Sequence, residues 1–350
     1  MLNKNLSFGK IMFRSIQMLR ALAVWLVVLH HVKQIVFSDA IGIPFIDQIA
    51  HKGAAGVDLF FIISGFIIYQ SIYSRHISAQ QFAINRIMRI VPAYWLFTGL
   101  VALLAVYFDG LMFATSTNPE LLIRSLLFIP TERADIMGYI PFLTVGWTLN
   151  YEMFFYLLAC LVILISRERF IVLISLVIIF SYEFLKPSLA QMPFYGNGMM
   201  LEFLLGIFIA DFHKNGMLDR INPMILASLL LVSMVFIYNR KEDHDILFIG
   251  IPCAIIVATA IGLEAQISES KVVKFIIRLG DYSYSTYLCH VIIICSLLYI
   301  FSDYKYCKYI VSALCVPFTI VTSYISYKYI ERPIGSLSKV MLRKRTPAVA

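Results

Sequence analysis

Charge is scarce in this sequence. Only 14% of its 350 residues are Asp, Glu, Lys or Arg, and 60% are hydrophobic. Soluble domains run at about 25% charged and about 45–50% apolar, so an ordinary soluble fold is excluded. No GxxxxGK[ST] loop occurs, which argues against a machine driven by ATP. CxxC and HExxH spacings are also missing, so no metal is expected. The six cysteines (Cys160, Cys253, Cys289, Cys295, Cys307, Cys315) fall mostly inside apolar runs. They read as small hydrophobes, not as a disulfide framework. There is no solenoid repeat and no low-complexity linker.

What remains is apolar sequence from end to end, with a mean hydropathy of +0.81. Runs of about 20 apolar residues recur, each long enough to cross a bilayer as a helix. The pattern predicts an all-α, polytopic membrane bundle filling residues 1–350 as a single domain. The expected spans are 15–36, 54–72, 90–108, 142–165, 169–186, 195–212, 222–239, 246–264, 281–301 and 309–330. Ten crossings put both termini on one side, and the basic residues say which. Lys4, Lys10, Arg14, Arg75, Arg86, Arg89, Arg167, Arg169, Lys214, Arg220, Lys271, Lys274, Arg278 and the tail's Lys339, Arg343, Lys344 and Arg345 all fall on one set of loops. The alternate loops hold fewer, so both termini are expected in the cytoplasm. That asymmetry also accounts for the net charge of +8 without a nucleic-acid partner. The first span has a basic flank but no small-residue cleavage site, and reads as an uncleaved helix.

Most loops are short. The exception, 109–141, holds Pro119, Pro130, Gly138 and Pro141 as breakers, and within it LLIRSLLFIP (121–130) is too short to span. It reads as interfacial or re-entrant. The whole loop is either one wall of an acceptor site outside the membrane or a surface plug.

Ionisable residues inside the spans are the informative exceptions. A charge at the bilayer centre costs about 2.5–3.5 kcal/mol on translocon scales. In RALAVWLVVLHH (20–31), Arg20 and His31 are eleven residues apart: three turns plus roughly 20°, on one face and about 16 Å apart. His30 falls about 80° away. The pair reads either as functional or as a hydrogen-bonded histidine with a snorkelling arginine. In NRIMRIVPAYW (85–95), Arg86 and Arg89 share a face at a helix mouth. Guanidinium groups suit phosphate, although the positive-inside rule explains them equally well. In GWTLNYEMFFY (146–156), Glu152 lies deep in the fourth span and needs a partner, for which Arg20 or a histidine is the natural candidate. GVDLFFIISGF (56–66) puts Asp58 at a membrane mouth. LGDYSYSTYLCH (279–290) puts His290 mid-span among small residues that read as close packing. Glu331-Arg332-Pro333 is expected to cap or anchor the tenth helix.

Taken in order, these segments resemble the acyltransferase 3 family of integral-membrane acyltransferases, especially its branch that acetylates exopolysaccharide and O-antigen. The resemblance runs from about residue 14 to 335. It is carried by Arg20-x10-His31, GVDLFFIISGF, Arg86-x-x-Arg89 with IVPAYW, WTLNYEMFFY with Glu152, and LGDYSYSTYLCH. The HxxxxD signature of glycerolipid acyltransferases is absent. The resemblance implies a multi-pass enzyme of the bacterial inner membrane. It makes His31 catalytic, assigns Arg86 and Arg89 to the acyl donor, and extends with less force to Arg20 and Glu152. Acetyl-CoA is the implied co-substrate and a saccharide or lipid-linked saccharide the implied acceptor, with the lipid bilayer the other partner. His31 would act as general base on the acceptor hydroxyl, or as a covalent acetyl carrier. Some family members add a soluble esterase-like domain; this sequence runs about 20 residues past its last span, so the acceptor would be handled without one. The alternative is a proton-coupled exporter using Arg20, His31 and Glu152 as a relay. The lack of paired Gly/Pro-broken helices and of an inverted repeat argues against it.

Topology can be tested directly. Thr117→Cys should react with an impermeant thiol reagent applied outside the cell, and Lys344→Cys should not; the reverse pattern would overturn the orientation.

Overall fold

Each of the ten apolar runs contains a helix; most ends fall within a few residues of expectation, but the helix of the third run starts at Ala79, eleven residues before the expected 90. The computed structural model describes residues 13–38, 40–75, 77–112, 118–133, 138–184, 192–240 and 244–343; Thr117 and Lys344 lie outside them. In chain order the helices are α1 (Arg14–Val36), α2 (Pro44–Lys52), α3 (Ala55–Arg75), α4 (Ala79–Tyr107), α5 (Pro119–Leu126), α6 (Trp147–Ile165), α7 (Phe170–Phe184), α8 (Met192–Tyr195), α9 (Met199–Lys214), α10 (Pro223–Asn239), α11 (Ile251–Gly262), α12 (Lys271–Asp281), α13 (Ser283–Ile300), α14 (Cys307–Ser326) and α15 (Arg332–Arg343). Among the described residues the sole β feature is one antiparallel bridge, Arg133 to Gly138.

Among the described residues, six helical segments are long and apolar enough to cross a membrane: Arg14–Val36, Pro44–Tyr73, Ala79–Tyr107, Thr144–Ile165, Ser283–Ile300 and Cys307–Leu337. Phe170–Phe184, Pro223–Asn239 and Ile246–Gly262 are apolar but shorter. Large side chains such as Leu103, Val106, Leu164 and Ile165 are exposed on the outside of the bundle, as lipid-facing positions should be.

Local chemistry sets the helix ends. Ser78 and Gln81 form a reciprocal capping box at the start of α4. At the start of α1, Phe13 offers no side-chain cap. Instead Glu264, from the turn after α11, accepts from the Arg14 and Ser15 backbone amides at 2.9 and 2.8 Å, and its negative charge suits a helix N-terminus. Glu331-Arg332-Pro333 anchors the helix end instead of capping it, with Glu331 accepting from Ser285 of α13. The chain passes through a π turn, Tyr327–Glu331, straight into α15. The wider turn absorbs Pro333, whose nitrogen cannot join an ordinary helical ladder.

Backbone proximity holds the inner helices together. A Cβ on Gly206 would lie 1.9 Å from the Ile62 carbonyl oxygen, and one on Gly65 2.1 Å from that of Phe203. Helices α3 and α9 therefore cross backbone against backbone, the close approach that small residues allow inside membranes. Gly56 sits the same way on Ala23 of α1, and Gly280 on Gln17. Helix α1 is thus pinned between α3 and α12, and its depth in the bundle is set. The packing role expected of these small residues is the one they fill.

Gly206→Val should lower the thermal unfolding midpoint of detergent-purified protein sharply. Overpacking costs about 1–3 kcal/mol even where side chains can yield, and here the obstacle is backbone. Gly99→Ala is the control, because nothing lies within 4 Å of its Cβ. Equal midpoints would mean that the crossing is not close-packed.

Candidate active site

Two cavities abut inside the bundle. The first, about 70 Å³, is lined by Arg20, Ser64, Arg89, Glu152 and Tyr284 among others. The second, about 230 Å³, is lined by His30, His31, Gln34, Trp147 and His244 among others. Val57 and Tyr287 belong to both walls, so they form the partition. The Tyr287 hydroxyl is held by Thr148 Oγ1 and the Val145 carbonyl, each at 2.9 Å. A larger cavity of about 680 Å³ contains none of the His, Arg or Glu residues singled out above and is set aside.

The histidine of the first motif is not alone. His290, wholly buried on α13, approaches it with Nε2 3.1 Å from His31 Nδ1. The carbonyls around the pair decide its protons. His290 Nδ1 lies 2.7 Å from the Tyr287 oxygen and 3.2 Å from that of Thr286. Carbonyls only accept, so this nitrogen carries hydrogen and Nε2 is the acceptor. His31 Nδ1 faces two acceptors, His290 Nε2 and the Val27 oxygen at 3.0 Å, so it carries hydrogen too. The neutral His31 ring then keeps its lone pair on Nε2, in a side chain that lines the second cavity. This assignment follows from the hydrogen-bond network. Sequence placed His290 in mid-span but offered it no partner, and only the meeting of α1 with α13 supplies one. His30 is not turned away from the cavity as its helical angle suggested. It lines the same wall, with Nδ1 3.0 Å from the Ala50 oxygen, because the cavity wraps round more than one face of α1.

Glu152 does lie deep in the bundle, but Arg20 is not its partner. Its carboxylate accepts from Tyr156, one turn on, and from Ser64 of α3 at 3.2 Å. Arg20 donates to Gln17 at 3.2 Å, with Glu152, Asp281 and Glu331 within electrostatic reach. The two charges face one cavity without touching. Sequence spacing had no means of finding Ser64, three helices away, although Tyr156 at i+4 was within its reach.

The paired arginines part company as well. Arg89 lines the first cavity with Arg20 and Glu152. Arg86 instead packs between the Phe82 and Tyr156 rings, 5.5 Å from each centroid, and donates to Ser71 at 3.0 Å. It steadies Tyr156 and through it Glu152. Asp58 is fully buried in the first turn of α3. In the long loop, α5 docks on the middle of α4, where Tyr94 and Trp95 donate to the Ser125 and Leu126 carbonyls at 3.2 and 2.9 Å. Ile140, near the end of this loop, lines the second cavity, as does Thr144 just beyond it.

An all-helical bundle with a cationic cavity backed against a histidine-lined one defines a membrane protein built for chemistry inside its own fold. Residues 13–328 match the family described as an acyltransferase domain, and the chain belongs to this acyltransferase 3 family. It is a multi-pass membrane acyltransferase. Its relatives include the exopolysaccharide production protein ExoZ of Rhizobium meliloti strain 1021, 32% identical over 247 residues, which cover 68% of this chain and 75% of that protein. The O-acetyltransferase OatA of Staphylococcus aureus is 25% identical over 328 residues, 81% of this chain but only 52% of OatA; the chain spans about half of that relative's length. An uncharacterized Haemophilus influenzae protein is 28% identical over 221 residues, 53% of this chain and 88% of that protein. No solved structure matches the chain.

The tautomer assignment has its own check. Nitrogen NMR of protein labelled at histidine should show His31 protonated on Nδ1 and bare on Nε2, with the Nδ1 signal displaced in His290→Phe. A His31 ring protonated on Nε2 instead would undo the assignment.

Proposed function

We propose that the chain moves an acetyl group from cytoplasmic acetyl-CoA to a hydroxyl of a saccharide or lipid-linked saccharide on the far side of the bacterial inner membrane. The observation that carries the proposal is the shared partition. A cavity with two guanidinium groups abuts, at Val57 and Tyr287, a cavity containing a histidine with an available lone pair. The printed names of the relatives, exopolysaccharide production protein and O-acetyltransferase, support the acceptor and acyl classes. The proposal includes ten crossings, both termini in the cytoplasm, and one domain over residues 1–350.

Each residue then has a task. Arg20 and Arg89 attract the polyanionic donor, with Glu152 offsetting one of their charges so that the wall stays positive overall. Arg86 positions Tyr156 and Glu152. The pantetheine arm brings its thioester to the partition. His31 Nε2 removes the acceptor's hydroxyl proton, and the oxygen attacks the thioester carbonyl. The carbon–sulfur bond breaks, and the imidazolium returns the proton to the CoA sulfur. While His31 is charged, its Nδ1–H points at His290 Nε2 and the Val27 carbonyl, two acceptors that stabilise it.

Acetylation assays on variants matched for membrane abundance test this. His31→Ala should lower acetyl transfer about 10²- to 10⁴-fold, and His30→Ala should retain a much larger share. Arg89→Ala should weaken acetyl-CoA use with the fold intact, whereas Arg86→Ala should also lower thermal stability, because its side chain is built into the packing. Near-normal activity in His31→Ala, or a wild-type protein that releases no CoA from acetyl-CoA with any saccharide, would overturn the proposal.

A further inference from the structure

The apolar cavity of about 680 Å³ lies behind α1. Met18, Leu22, Trp25 and Leu26 of that helix line it, whereas Arg20 lines the first of the abutting cavities and Val27, His30 and His31 the second. Its other walls include Met234 of α10, Ile256 of α11 and Ile276 of α12. Along α1 it runs from Ser15 to Leu26, eleven residues or about 16 Å. That is half of a hydrocarbon core roughly 30 Å thick, the depth of one leaflet. Leu22 and Met234, both in its wall, are also exposed on the outside of the bundle, so the cavity opens sideways to the membrane. Left empty, a space of this volume would forfeit more packing than a domain's whole margin of stability. Walls of Leu, Ile and Met give water nothing to bond. Hydrocarbon is the filling that remains.

Charge marks one end of it. Gly280 of α12 sits on Gln17, so α12 lies beside the Ser15 end. It presents Lys271, Lys274 and Arg278 at i, i+3 and i+7, one exposed stripe. None of the three has a hydrogen bond or ion pair among the described residues. The acids nearby are engaged: Glu264 and Glu269 pair with Arg14 at 3.5 and 3.6 Å. Beside the stripe Val272 and Phe275 are exposed, and Ile276 and Leu279 belong to the cavity wall. Ser15, also in the wall and only 3% exposed, has a hydroxyl without a hydrogen-bond partner. Lys52, which lines the Leu26 end, has an interaction of its own. A rule of topology asks for cations on this side of the membrane. It does not ask that they stand unpaired, next to exposed Phe275, at the end of an apolar cavity one leaflet deep.

We infer that this cavity is a site for one anionic phospholipid, with an acyl chain lying along α1 and the phosphate resting on Lys271, Lys274 and Arg278. The lipid comes from the leaflet beside the chain termini, which is the cytoplasmic one in the orientation proposed above. Its chain fills the space behind the helix that carries Arg20 and His31, and so braces that helix against the two reactive cavities. Lipid binding does not require the transfer reaction, and either can fail without the other.

The test titrates purified full-length protein with phosphatidylglycerol and with phosphatidylcholine. Bound lipid is counted by native mass spectrometry, and the thermal unfolding midpoint is followed in parallel. A basic residue at the surface is worth roughly fivefold in affinity for an anionic lipid, so the wild type should hold one phosphatidylglycerol about tenfold or more tighter than phosphatidylcholine. Its midpoint should rise with the anionic lipid. Lys271→Gln, Lys274→Gln and Arg278→Gln combined leave the packing alone, because all three side chains are exposed; this variant should bind both lipids alike. Leu22→Trp, whose larger ring fills the cavity from its open side, should weaken both lipids with the charge unchanged. Equal retention of the two lipids by the wild type, or phosphatidylglycerol held undiminished by the triple variant, overturns the site. A Leu22→Trp protein that binds phosphatidylglycerol as the wild type does also overturns it, because the chain then lies elsewhere. Inorganic phosphate that raises the midpoint as far as the lipid does would reduce the stripe to a site for free anions, and the lipid site would be wrong.

Discussion

A polar group carried into a bilayer has no water to satisfy it, so another helix must supply its partner. That constraint organises the interior of this protein. His31 of α1 meets His290 of α13; Glu152 of α6 meets Ser64 of α3; Asp58 of α3 meets His244 ahead of α11; Ser285 of α13 meets Glu331. Each pair joins segments far apart in the chain, so each fixes helix positions and places reactive atoms together. The glycine contacts make these meetings possible. With Gly56 on Ala23 and Gly280 on Gln17, α1 lies close enough to its neighbours for side chains of ordinary length to reach across.

The same economy separates two arginines that look equivalent on paper. Arg86 and Arg89 are three residues apart, yet Arg89 lines a cavity while Arg86 is packed between two aromatic rings. Neighbouring turns of one helix thus supply one guanidinium that faces a cavity and one that is built into the packing. Glu152 is likewise held by hydroxyl groups rather than by a salt bridge. Neutral donors satisfy the carboxylate, and Arg20 and Arg89 face the same cavity without pairing with it.

Membership of the acyltransferase 3 family and the two abutting cavities are independent observations that agree. One comes from residues spread over 13–328, the other from a few side chains on α1, α3, α4, α6 and α13. Val57 and Tyr287 form the partition between the cavities, and Ile140 and Thr144, ahead of α6, help to line the histidine-lined one.

Hydropathy and charge by themselves determined the helical class, the places of ten helices, and the list of ionisable residues out of place in an apolar interior. These are local properties: a run of apolar side chains or a buried charge carries its free energy wherever the chain goes. His31, Arg20, Glu152, Arg86 and Arg89 were legible for that reason, helped by motifs whose spacing is a sequence property. Partnership was not legible. That Glu152 binds Ser64, that His290 orients His31, that His30 shares its cavity, that Asp58 faces His244, and that Glu331 meets Ser285 all depend on which helix faces meet and at what depth. Helix–helix register is set by small residues and close packing summed over the whole bundle, and no stretch of sequence contains that sum. Only the tertiary structure decided it.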